Sequence, residues 1–399
     1  MKNKALELSK NTKIALVANS TWNIYNFRLN LVKELEKNGA EVIVIAPVDE
    51  YIHYLNKASN IKHIPLKSLS RKSRNPLRDF KLFLELYKIY RKEKPDVVIH
   101  YTIKPNIFGN LAAFFNKIVS ICVVTGLGYT FLNEGWIKKI SNLLYRLSFR
   151  VAKRVVFENK DDRQLFIEDN LVREPYSMSV NGCGVNTSYF RPFSKPPSDK
   201  FIFLFVGRLL YDKGIVEFVE AAREVTKTNP HAEFWVLGEL DTGNPSAIRK
   251  NQLLDWVDKK YIHYHGTTSD IRLFLRKADA IVLPSYREGL PKVILEAMAM
   301  AKPVITTLTA GCKETVDQNV NGFLVPIKNS EKLADAMHQL LELDPIDLEI
   351  MGRISRKKAV EQFDAKLVAT EYINLINSLF PESKHIGAKK SITFNERER

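Results

Sequence analysis

The feature that most restricts this chain is an alternation of short apolar runs with amphipathic stretches, repeated in both halves of its 399 residues. Residues 13–18 are apolar and strand-sized, 20–26 are polar, and 27–37 repeat apolar side chains at helical spacing. Asn38-Gly39 then supplies a helix stop before another apolar run at 41–46. This is the pattern of a parallel βαβ unit. It recurs with a basic helical stretch at 79–92, a buried-type strand at 96–100 after Pro95, and further strands at 121–125 and 154–158. A second series starts at 201–206 and continues through 215–228, 233–237, 271–276, 280–283, 291–300 and 303–306. Two doubly wound α/β domains follow, and a chain of this length with 45% apolar residues can build two cores. Pro192, Pro196 and Pro197 cluster in the polar segment 191–200 and place the boundary there. The expected domains are residues 1–195 and 196–380, with a last helical stretch at 364–380 able to pack back on the first domain. Residues 381–399 read as a disordered polar tail.

Several classes are excluded by composition. Cys122, Cys183 and Cys312 are odd in number, widely spaced and lack zinc or disulfide spacing, which points to a reducing, cytoplasmic setting. Residues 1–10 are polar and lysine-rich rather than signal-like. The longest apolar stretch, 107–131, is interrupted by Asn110, Asn116, Lys117 and Ser120. It therefore falls short of the roughly 20 uninterrupted apolar residues of a spanning helix. The net charge of +15 lies entirely in residues 1–195, which hold 32 Lys and Arg against 17 Asp and Glu; the remainder holds 28 of each. Such asymmetry suits an anionic partner surface, either nucleic acid or membrane. No nucleic-acid recognition module accompanies it, but charge by itself does not decide between the two partners.

The residues with chemical meaning gather in the second half. The strand at 201–206 runs into Gly207 and Arg208, followed by Lys213-Gly214 and a helix. Two cations beside a helix N-terminus suit a diphosphate, although the same residues can be a plain turn with solvated charges. After the strand at 280–283 comes Pro284-Ser285-Tyr286-Arg287-Glu288-Gly289-Leu290-Pro291, then an apolar helix containing Glu296. Pro291 suits a first helical turn, leaving Glu288 in the loop and Glu296 one to two turns on. At about 1.5 Å rise per helical residue the two carboxylates stand roughly 10 Å apart, too far to act as a close pair. They can grip two ends of an extended ligand, with the backbone N–H groups of 289–293 facing a phosphate between them. Glu296 lies among Val293, Ile294, Leu295, Ala297, Met298 and Ala299, and an acid in so apolar a helix calls for a partner.

The Glu288-to-Glu296 spacing resembles the E-x7-E signature of the family 4 glycosyltransferases. Gly207-Arg208, Lys213-Gly214, Gly238, Gly266, Asp270, Pro284-Ser285 and Pro303-Val304-Ile305 match that family too. The first half is similar to a subgroup that builds surface polysaccharides and lipid-linked oligosaccharides, through residues 23–28, 104–109 and 125–128. The resemblance implies a retaining enzyme of GT-B architecture, two Rossmann-like domains facing a cleft. Its donor would be a nucleoside-diphosphate sugar, a UDP-hexose or UDP-N-acetylhexosamine, and its acceptor a polyprenyl-diphosphate-linked saccharide. By motif, Gly207, Arg208, Lys213, Gly238, Glu288, Gly289, Leu290, Pro291, Val293 and Glu296 would bind the donor. Arg208 and Lys213 would hold the diphosphate, Glu288 the sugar hydroxyls and Glu296 the ribose. Asn26, Lys104, Asn106, Gly126 and Gly128 would serve the acceptor, with His100 or Lys104 as the catalytic group from the first domain.

Three departures from the family pattern stand out. Ala301 replaces the usual glycine and fits a helix end if its φ is negative, residues 20–26 replace a glycine-rich loop, and His100 is near but out of register with the family histidine. No DxD triplet follows a strand, so neither a bridging Mg²⁺ nor another cofactor is expected. The resemblance implies front-face attack by the acceptor hydroxyl without an enzyme nucleophile, on a site completed by domain closure. The basic excess of the first half, with two segments that mix cations and apolar residues at 67–94 and 136–154, adds an expected peripheral docking of that domain on an anionic membrane, at the cytoplasmic face of the inner membrane. The rival readings are a silent nucleotide-binding scaffold, a sugar-nucleotide epimerase and a nucleic-acid binder.

Overall fold

The computed structural model describes residues 8, 12–59, 61–70, 75–127 and 136–380, with side chains from residue 139 onward in the last stretch. Gly128 and the tail 381–399 lie outside the described residues.

The apolar runs pair into two fully parallel sheets. The first comprises β1 (Lys13–Val17), β2 (Glu41–Ala46), β3 (Lys62–Pro65), β4 (Val97–Tyr101), β5 (Val119–Val124), β6 (Arg154–Phe157) and β7 (Ser177–Ser179), in the order β3-β2-β1-β4-β5-β6-β7. The second comprises β8 (Phe201–Val206), β9 (Ala232–Leu237), β10 (His263–Tyr264), β11 (Ala280–Leu283), β12 (Val304–Thr307) and β13 (Gly322–Val325), in the order β10-β9-β8-β11-β12-β13. Helices cover both faces, so central strands such as β4 and β11 are buried at every residue. In each sheet the chain order reverses once, between β1 and β4 and between β8 and β11. Crevices open at the carboxyl ends of strands at such points.

Of residues 20–26, read as a polar loop from sequence, 21–26 are helical and Ser20 is the extended N-cap. Thr21–Asn23 and a π-helical turn, Ile24–Arg28, lead directly into the helix Leu29–Lys37. The start is held by side chains: Ser20 Oγ accepts from Asn23 N at 3.1 Å and Asp49 Oδ2 from Trp22 N at 3.0 Å. A second π-helical turn, Pro105–Gly109, follows β4.

The last helix, Ala365–Leu379, is capped by Asp364, whose side chain accepts from Lys366 N. It buries Val368, Tyr372, Ile373 and Ile376 in the same cluster as Leu31, Val32 and Leu35 of the first domain. Ala301 departs from expectation, because its φ is +58° rather than negative. It follows the C-cap Met300 of the helix Lys292–Ala299, and Lys302 N donates to Ala297 O while Ala301 N donates to Met298 O. That is a Schellman closure, which puts the residue after the cap in the left-handed region.

Candidate active site

The turn after β8 and the loop after β11 are locked together by glycines. Gly214 has φ +71°, and a Cβ there would overlap the carbonyl of Pro284; a Cβ on Gly238 would overlap the carbonyl of Gly207. Lys213, one residue before Gly214, is thereby delivered to the β11 loop, where its Nζ pairs with Glu288 Oε1. The same carboxylate oxygen accepts from Ser285 Oγ at 2.7 Å. Arg208 meets Asp241 Oδ2 at 3.0 Å, with 45% of its side chain exposed. Asp241 escaped the sequence reading because it sits in an irregular loop with no periodic signal.

Glu296 is nearly buried and does have a partner, Lys292, whose Nζ lies 2.8 Å from Glu296 Oε1 one turn earlier on the same helix. Burial by itself would lower the Lys292 pKa; the neighbouring carboxylate outweighs it and holds the ammonium above its ordinary value. Lys292 also stacks at 5.8 Å over Phe27 of the first domain. Pro291 caps the helix, Val293 packs partly buried against the core, and Leu290 is buried. Leu290 approaches Gly182 so closely that a Cβ on that glycine would lie 2.8 Å from it. Its side chain is a packing element, and the loop backbone is what remains for a ligand.

The first-domain candidates divide. His100 is fully buried between Tyr90 Oη at 2.8 Å and Ser120 Oγ at 3.1 Å, with Gly109 against its ring. Burial pulls its pKa down to about 3. It is a core residue, not a substrate contact. Asn106 is likewise buried: its Nδ2 donates to Val123 O at 2.8 Å and its Oδ1 accepts from Val123 N at 3.2 Å, tying the second π-helical turn to β5. Lys104 is partly exposed and pairs with Asp79 at 2.6 Å. Asn26 is half-buried, donating to Trp22 O at 3.0 Å. Gly126, with φ +114°, reaches the other domain, where a Cβ on it would lie 2.9 Å from Gly289 N. The carboxyl-end loops of the two sheets therefore meet around Gly126 and Gly289, with Glu288 and Lys213 beside the contact. In the first domain Arg28 and Glu158 form a buried ion pair at 2.7 Å, with the guanidinium 4.2 Å over the Tyr101 ring. Distant pairing of this kind leaves no local sequence signal.

Residues 13–159 match the family described as glycosyl transferase 4-like, and residues 200–343 match glycosyl transferases group 1. The N,N'-diacetylbacillosaminyl-diphospho-undecaprenol alpha-1,3-N-acetylgalactosaminyltransferase of Campylobacter jejuni is 30% identical over 380 residues, covering 91% of this chain and 98% of its own. The chain belongs to the family 4 glycosyltransferases. Within that family it is also similar to the Escherichia coli UDP-Gal:alpha-D-GlcNAc-diphosphoundecaprenol alpha-1,3-galactosyltransferase, 29% identical over 304 residues, 72% of this chain and 76% of that one. Among solved structures, a glycosyltransferase from Rickettsia africae superposes with TM-score 0.77 at 21% identity, covering 94% of this chain and 100% of its own. Anabaena HepE in complex with UDP and glucose does so with TM-score 0.76 at 17% identity, covering 92% and 100%. This family 4 glycosyltransferase thus has the GT-B fold, and no described helix is long and apolar enough to cross a membrane.

Proposed function

We propose that this glycosyltransferase moves a hexose or N-acetylhexosamine from a UDP-sugar, with retention, to a hydroxyl of a polyprenyl-diphosphate-linked saccharide. The observation that carries the reading is the assembly of Lys213, Glu288 and Ser285 at the reversal point of the second sheet, with Arg208 on the same turn. Lys213 pairs with Glu288. A diphosphate arriving beside Arg208 would draw that ammonium onto itself and leave the carboxylate to the sugar hydroxyls. Glu296, held by Lys292, would take the ribose, and the backbone of Gly289 and its neighbours would face the phosphates. As the bond from C1 to the diphosphate breaks and that to the acceptor oxygen forms, the acceptor proton goes to the departing diphosphate. Arg208 and Lys213 neutralise the leaving charge without a metal, as preorganised electrostatics. Asn26, Gly126 and Lys104 lie on the first domain, where the acceptor would sit. The two relatives named above act on undecaprenol-linked sugars and form α-1,3 linkages. An α-linked donor yields such products when configuration is retained.

A lipid-linked acceptor requires a membrane, and the first domain carries a surface suited to the cytoplasmic face of one. Leu77, Phe80 and Leu84 on the helix Pro76–Glu93, and Phe114 and Phe115 at the end of Asn110–Phe115, are exposed. Ile140, Leu143 and Leu147 form an exposed stripe on the helix Trp136–Phe149. Arg78, Lys81, Lys88, Lys117, Lys139 and Arg150, on or directly after the same helices, are exposed too. The side chains of Arg71, Lys72, Arg74, Trp136, Ile137 and Lys138 lie outside the described residues. Exposed apolar side chains on helices that also carry exposed cations are the composition of an interfacial anchor.

The test is transfer from a panel of radiolabelled UDP-sugars to a polyprenyl-diphosphate-linked saccharide and to its soluble counterpart, each with and without EDTA. Transfer should require the lipid-linked acceptor, survive excess EDTA, and fall by about 10²-fold in Lys213→Ala and in Arg208→Ala. Equal use of the soluble acceptor overturns the lipid reading. Loss in EDTA restored by Mg²⁺ overturns the metal-free donor site.

A further inference from the structure

The loop that carries Glu288 is gripped from three sides, two of which belong to the other domain. From its own domain, Glu288 N donates to Ala310 O at 3.2 Å and Gly311 packs on the loop carbonyls. From the first domain, Thr125 and Gly126 lie backbone to backbone against Gly289. The remaining side is the start of the helix Lys160–Glu168, immediately after β6. Asn159 caps that helix, its Oδ1 accepting from Asp162 N at 2.7 Å. The Asn159 side-chain amide donates to Asp162 Oδ2 at 3.0 Å and to Gly289 O at 2.7 Å. Asp162 Oδ1 pairs with Arg287 Nη2, and the Asp162 side chain is 0% exposed.

A fully buried carboxylate is costly unless paired and hydrogen-bonded, and the guanidinium that pairs with this one comes from the opposite domain. The helix start is capped by Asn159, which takes the Asp162 N–H, with Lys160 N donating to Glu314 Oε1; the Asp162 carboxylate accepts from neither of those N–H groups, so the cap does not explain it. What Asn159 and Asp162 hold between them is Arg287 and the Gly289 carbonyl, the residues on either side of Glu288. The domains also touch through Lys313 and Asp161 at 2.9 Å and through Lys160 N and Glu314 Oε1 at 3.1 Å. Neither of those contacts involves the loop 285–291.

We infer that Asn159 and Asp162 are positioning residues of the first domain that set the Glu288 loop for catalysis, so that the donor carboxylate is aligned with Lys213 when the domains are closed. The inference rests on the reading of Glu288 as the donor-sugar carboxylate. Opening the domains would release an ion pair and a hydrogen bond from the loop at once, and the acceptor domain would thereby govern chemistry on the donor.

The test compares Asp162→Asn, Arg287→Gln, their double variant and Arg287→Lys, with Lys313→Gln and Glu314→Gln as controls. Turnover should fall about tenfold or more in the first two, the scale on which a small misplacement of reacting groups costs rate. UDP affinity by calorimetry should stay within about threefold, since the charge contacts to nucleotide are untouched. The double variant should be no slower than the slower single variant, as expected for two residues acting as one unit, and Arg287→Lys should recover part of the rate. Unchanged turnover in Arg287→Gln overturns the inference, and so does an equal loss in Lys313→Gln, which would trace the effect to domain contact in general. If Asp162→Asn does not fold, the partly exposed Arg287 series still decides. Glu288→Gln is measured beside them: full activity there sinks the donor reading and this inference together, whereas an inactive Glu288→Gln with fully active Arg287→Gln sinks this inference alone.

Discussion

Ala301 carries a backbone conformation that its own Cβ disfavours, at φ +58° in a Schellman closure. A left-handed L-residue costs roughly 1–2 kcal/mol, partly offset in glycine by its freer unfolded chain. Ala301→Gly should raise stability by about 0.5–1 kcal/mol, read as a higher urea midpoint at unchanged slope; a lower midpoint would mean the site is unstrained. His100 makes the opposite kind of statement. Its folded pKa of about 3 lies below the ordinary 6.5, so between those values the unfolded chain binds a proton that the folded chain refuses. The stability is complete above pH 6.5 and is lost as pH falls towards 3. His63 and His265, also lowered by burial, act in the same direction. In His100→Gln the fall in stability between pH 6.5 and 5 should be shallower by up to about 1.4 kcal/mol per pH unit. An unaltered slope in urea titrations would show that His100 titrates normally.

At the scale of elements, the last helix shows how a C-terminal segment can stabilise an N-terminal core. Ile376 is 1% exposed among first-domain residues. Truncating such a side chain removes about 2–5 kcal/mol, so Ile376→Ala should lower the calorimetric transition of the first domain by that amount while the second keeps its own. Equal loss in both, or none, would contradict the packing. The long apolar strands were legible because burial on both faces demands continuous apolar runs. β10, with two residues, is too short to show a period, and β13 opens on Gly322, a residue strand patterns disfavour; both exist through pairing with β9 and β12. The helical start at 21–28 was hidden for a related reason: its capping acid, Asp49, is 27 residues from Trp22.

At the scale of the whole molecule, the basic excess and the exposed apolar stripe coincide on the first domain. Each cation near an anionic surface contributes on the order of 1 kcal/mol. Binding to anionic liposomes should therefore be strong at low salt and weaken as salt shortens the screening length. Lys81, Lys88, Lys139 and Arg150 changed to Gln should abolish it, and Phe115→Ser should weaken it. Arg146 is left out because it donates to the Asp169 and Asn170 carbonyls at 3.2 Å. Indifference to such vesicles would detach the surface from the membrane. The alternation of elements and the Glu288–Glu296 spacing were determined by sequence alone, since period and motif are properties of neighbouring residues. The burial of His100 and Asn106, the pairing of Lys213 with Glu288 and the reach of Asp162 to Arg287, 125 residues away, were decided only by the tertiary structure. Each depends on which distant strand end arrives beside it, and no local pattern records that approach.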